Sequence, residues 1–169
     1  MRRMMQARLC DTSFMSAMYL ALALHMLAAI LWVGGMFFAY VCLRPVAASL
    51  LEPSLRLRLW IGAFRRFFLF VWLAVMLLPA SGWYMAGRLY GGLTFAPVAV
   101  WLMAGVGMIM ILLYLHVFFA PYRRLRRSVA GGDFKEGARQ LARIRRIIGI
   151  NTTLGLLATL AAVAGRFVN

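Results

Sequence analysis

Two imidazoles stand in stretches that hold almost nothing else able to do chemistry. His25 lies in "LHMLAAILWVGGMFF", residues 24–38, and His116 ends "WLMAGVGMIMILLYLH", residues 101–116. They are the 2 histidines of a 169-residue chain, and both interrupt apolar sequence. Burying an ionisable group there is costly, so an imidazole retained inside an apolar run is a candidate for function, metal ligation above all. The structural alternative is a neutral imidazole bonded across a helix interface. Imidazole ligates haem iron and copper, and thioether favours Cu(I). The chain carries 12 methionines. At 100° per residue, His25 shares a helical stripe with Ala21, Ala28, Ala29, Trp32 and Met36. His116 shares one with Gly105, Ile109, Leu112 and Leu113. Small residues beside either imidazole leave room for a flat macrocycle or for close helix packing.

Other chemistries are poorly served. The 4 carboxylates, Asp11, Glu52, Asp133 and Glu136, all lie outside the apolar cores, which argues against a buried acid–base pair or a carboxylate relay. No glycine-rich phosphate loop follows a strand pattern. Cys10 and Cys42 fall at opposite ends of one apolar run without a C-x-x-C context and read as isolated thiols. Chemistry inside the chain therefore rests on histidine, methionine, aromatic residues or a bound cofactor.

The elements that position these residues are membrane spans. Apolar residues make up 64% of the chain and the mean hydropathy is +0.85, against about 45–50% apolar for a soluble domain. Apolar runs predict spans over residues 14–43, 67–86, 95–120 and 147–167, each at or beyond the about 20 residues that a bilayer requires. The first is too long for a signal-peptide core and reads as retained. The expected fold is all-α, a transmembrane antiparallel four-helix bundle making one membrane domain over 1–169. The short, turn-rich "GRLYGGLTFAP" makes the second and third spans neighbours. Gly155, Ala158, Ala162 and Gly165 have the small-residue spacing that lets helices approach closely.

A net charge of +15 invites a nucleic-acid reading, but the basic residues lie between the apolar runs, as membrane topology requires. Fourteen of the 19 fall in the first and third connections, among them Arg44, Arg56, Arg65, Arg66, Arg123, Arg124 and Arg145. That bias predicts a bacterial inner-membrane protein with both termini periplasmic, its arginines among anionic headgroups and no nucleic-acid partner. Counted from the cytoplasmic ends, His25, Met85 and Met103 share one depth, about 18 residues in, whereas His116 is only about five residues in. Straight spans would offset the two histidines by about 15–20 Å.

These residues also carry a family resemblance. His25-x6-Trp32-x2-Gly35-Met-Phe-Phe resembles the first-helix signature of HemJ-type protoporphyrinogen oxidases and of the related CopD-like membrane proteins. Trp101 followed by Tyr114 and His116 resembles their third helix, and "RIIGIN", ending at Asn151, the opening of their last. Val41, Gly105 and Thr152 stand where HemJ proteins have arginine, lysine and glutamate. The resemblance thus implies a haem b site on a four-helix scaffold without porphyrinogen oxidation, closer to the CopD-like branch.

The first expectation is therefore haem b bound through His25, His116 or both, with Trp32, Gly105 and Asn151 around it. The role would be redox or haem handling, possible oxidoreductase chemistry included, with a quinone or membrane redox partner or a second copy of the chain. The alternative is copper binding or import of the CopD type, using His25, Met85 and Met103, with Met26 and Met36 along the route.

Overall fold

The computed structural model describes the backbone of residues 2–164 and the side chains of residues 15–163. Among the described residues every regular element is a helix. Helix α1 (Arg2–Ala29) runs on through two π-helical stretches, Ile30–Gly34 and Phe38–Leu43, with α2 (Gly35–Phe37) between them and α3 (Arg44–Leu50) after them. There follow α4 (Pro53–Tyr90), a 3-10 turn at Leu93–Phe95, α5 (Val98–Phe119), α6 (Pro121–Ala130) and α7 (Phe134–Ala164). Four helical stretches are long and apolar enough to cross a bilayer: Met15–Leu50, Pro53–Tyr90, Val98–Ala130 and Phe134–Val163. They are the first to fourth spans below. Gly165, the expected end of the last span at residue 167 and the side chain of Cys10 lie outside the described residues.

The helices outrun the apolar segments that announce them. At 1.5 Å per residue the 38 residues of α4 reach about 57 Å, far beyond a hydrocarbon core of about 30 Å. Charge alone does not end a helix, because arginine is a good helix former. The breaks come instead where the backbone demands them. One is Leu51–Glu52 ahead of Pro53, another the kink at Ala120–Pro121, and another the turn at Gly131–Asp133. At the end of α4 Gly91 takes φ +75°, a left-handed cap that glycine adopts without a Cβ penalty, and its N–H bonds back to the Gly87 carbonyl. The first connection therefore shrinks to two residues, and Arg56, Arg58, Arg65 and Arg66 ride on α4.

Contacts fix how the spans lie. Gly35 faces Phe67 while His25 faces Gly82, so chain order rises along the first span as it falls along the second. The first and fourth spans meet at Val33–Gly155, Met36–Asn151 and Tyr40–Gly149. The third and fourth pack along their length, helped by α6 against the start of α7. Between the second and third spans the backbones stay further apart, and rings fill the gap: Phe64, Phe68 and Trp72 interlock with Tyr114, Phe118 and Tyr122. The expected neighbourhood of these two spans is thus made by side chains rather than by backbone approach.

The outside is apolar as well. Leu20, Ile30, Leu69, Leu73, Leu102, Leu112 and Leu160 are all exposed, a surface suited to lipid and not to water. Trp83, Tyr90, Phe95 and Trp101 are exposed around the 91–97 turn, where an interfacial aromatic belt belongs.

Candidate functional site

The stripe predicted for His25 is the inward face of the first span. Ala28, Trp32 and Met36 are buried, and Ala21, His25 and Ala29 are half-buried. His25 meets Ser81 of the second span, with Nδ1 and Oγ 2.9 Å apart. Ser81 is buried, and its hydroxyl hydrogen goes to a carbonyl of its own helix, that of Leu77, with Leu78 as the longer option. A hydroxyl has one hydrogen, so Oγ is left to accept from the imidazole, and Nδ1 is the ring nitrogen that donates. A ring nitrogen held in this way by a hydrogen bond orients the imidazole, which is the preparation a metal-ligating histidine needs. Gly82 lies against the Cε1 edge of the same ring, where an added Cβ would sit at 3.5 Å.

Met85 follows Ser81 by one turn on the same helix face, and it too is half-buried. Met103 is half-buried two turns before the buried Met110 and shares its face. Trp72 packs on both Tyr114 and Phe118, with ring centroids 5.5 Å away in each case. Counting outward from that contact along both helices brings Met85 and Met103 to the same height, one turn beyond Ser81 and His25. One imidazole and two thioethers, all half-buried, thus lie within about one turn of height at one end of the bundle.

His116 is placed elsewhere. It is exposed on the outer side of the third span, at the height of Trp72, about 13 Å along the axis from Ser81. Gly105, on its stripe, is exposed too, and nothing lies within 4 Å of where its Cβ would be. The two imidazoles therefore face different surroundings, and this geometry does not bring them to one iron.

Trp32 and Asn151 do come together. Both line a cavity of about 20 Å³ with Met36 and Tyr114, enough for one water or one ion but not for a macrocycle. Asn151 is 3% exposed. Its Nδ2 donates to the Met110 carbonyl at 3.4 Å and points at Met36 Sδ at 3.7 Å. Its Oδ1 is buried without a hydrogen-bond partner. Tyr114 donates its hydroxyl to the Phe68 carbonyl at 3.2 Å and meets Trp32 edge-on in the lining of the cavity. Below it the Phe64–Phe68–Tyr122 rings seal the bundle.

Among the described residues no three His, Cys, Asp or Glu side chains gather as a metal site. Any metal held in this interior would draw on thioether sulfur, amide oxygen or an aromatic face beside a single imidazole. Ser81 was missed in the sequence. The available signal was its hydroxyl in the apolar "LLPASGWYM", at the depth of His25 across a neighbouring span.

A family model described as copper resistance protein D, CopD, matches residues 61–165, which takes in Ser81, Met85, Met103, His116 and Asn151 but starts after His25. Neither the curated proteins nor the solved structures give a match. With more than half of its residues matched, the chain belongs to the copper resistance protein D family of multi-pass membrane proteins.

Proposed function

We propose that this protein handles copper as Cu(I) inside the membrane, with His25 Nε2 as the first inner ligand and the Met85 and Met103 sulfurs completing its coordination. The observation that carries the reading is the His25–Ser81 hydrogen bond, which orients the imidazole one turn from the level of two thioethers. Cu(I) suits such a site, since it accepts soft sulfur ligands and imidazole without needing carboxylates. Membership of the CopD family supports copper over haem as the cargo. The outward placement of His116 offers nothing to a bis-histidine haem.

Ser81 is a positioning residue in this account. Ser81→Ala takes away the Oγ partner of Nδ1 and loosens the orientation of the ring. The expected result is a loss of about 10–100-fold in Cu(I) affinity, the usual cost of removing such a partner. Anaerobic competition titrations against a Cu(I) chelator measure it; unchanged affinity in a folded Ser81→Ala protein would remove the hydrogen bond from the mechanism.

The same reading fixes a direction. The basic residues at the ends of the spans argue for an inner membrane with that face cytoplasmic, so the His25 end opens to the periplasm. Copper would then be taken from the periplasmic side. A periplasm-active reporter fused after Asn169 is expected to be active, and a cytoplasm-active one silent. The reverse pattern would turn the path around.

A further inference from the structure

The cavity between Trp32, Met36 and Asn151 lies beyond the His25 level, about 16 Å along the first span at Met36. We propose that it is a second stop for copper, a site for a single Cu(I) held by the Met36 sulfur and the Asn151 carboxamide oxygen and capped by the Trp32 indole. The inference rests on the copper reading above and extends it to a site of different composition.

Three features point to a ligand. Asn151 is almost fully buried and leaves Oδ1 unpartnered, an arrangement that native interiors rarely keep without cause. The cavity that Asn151 lines has room for one small guest. Two π-helical stretches, Ile30–Gly34 and Phe38–Leu43, flank Met36, and such interruptions recur where a helix must re-aim side chains for function.

The guest's chemistry follows from what lines the space. A buried water wants two to four polar partners. Here the Tyr114 hydroxyl hydrogen goes to the Phe68 carbonyl and the Asn151 Nδ2 to the Met110 carbonyl and Met36 Sδ, so a water would meet two acceptors, Oδ1 and the phenolic oxygen, and no free donor. A soft monovalent cation fares better. It gains the Met36 thioether, the carboxamide oxygen and the face of tryptophan, the strongest cation–π partner. A divalent ion would bring a second charge that no carboxylate in the lining balances.

The test uses the full chain purified in detergent, titrated anaerobically with Cu(I), reading bound copper and tryptophan emission together. The wild type is expected to take up about two Cu(I) per chain, with emission quenched as the second site fills. Met36→Leu keeps the volume of the side chain and removes the sulfur. It is expected to lower the uptake to about one and to abolish the quench, while keeping the ion that His25→Ala loses. Trp32→Phe serves as a second variant and is expected to remove the quench and weaken that site alone. Met36→Leu and Trp32→Phe proteins that both bind and quench as the wild type does would overturn the second stop. A single ion in the wild type, lost in His25→Ala and kept in Met36→Leu, would overturn the second stop and leave the His25 reading standing. A single ion with the opposite pattern would sink the His25 reading instead. No copper bound by any of these proteins would overturn both.

Discussion

His25→Ala is expected to lower the Cu(I) affinity of the purified protein by about 100-fold or more, since removing a ligand costs at least as much as removing its hydrogen-bond partner. The fold should be little disturbed. Ser81 retains its bond to the Leu77 carbonyl, and the lost ring is only half-buried. His116→Ala is the matched control. Its imidazole faces outward at the height of Trp72, so its removal is expected to leave the affinity unchanged. Chelator competition on the two variants measures the contrast. Equal losses in both would mean that the two histidines act on one ion after all, against the present geometry.

The second large effect concerns stability. A Cβ on Gly35 would fall 2.3 Å from Phe67 Cε2 and 2.9 Å from Cζ, so the first and second spans close only because that side chain is missing. Gly35→Ala must push the Phe67 ring aside or part the spans, an overpacking cost of about 1–3 kcal/mol. Phe67 packs against the aromatic core through Phe68, which limits where its ring can go. Thermal unfolding in detergent should show the loss, and Gly35→Ala with Phe67→Leu should recover most of it. If Gly35→Ala melted with the wild type, the close approach would not be holding these spans together. Because the same pair of spans carries His25 and Ser81, the single variant should also bind copper more weakly.

Much of this organisation was legible in the residues and some was not, for identifiable reasons. The four spans follow from apolar length, and the inward stripe from Ala21 to Met36 follows from helical geometry, since small residues and tryptophan mark a packed face. Counting from the span ends puts His25, Met85 and Met103 at one depth, and in the structure the methionines stand one turn beyond His25. The helices run past the apolar segments because the arginines of α4 and α7 continue them until glycine or proline stops them. The direction of His116 was hidden because α5 is apolar on every side and offers no polar face to orient it. Gly105 shares the same outward stripe. The Asn151–Met36 contact joins residues 115 apart in sequence, and nothing local to either announces it.

The measurement that bears most directly on the central claim is the metal content and optical spectrum of the protein purified from cells supplied with both copper and haem precursors. The account predicts copper retained through purification in the wild type, lost in His25→Ala, and no Soret band in either. Stoichiometric haem with sharp α and β bands on reduction, and no copper, would contradict it.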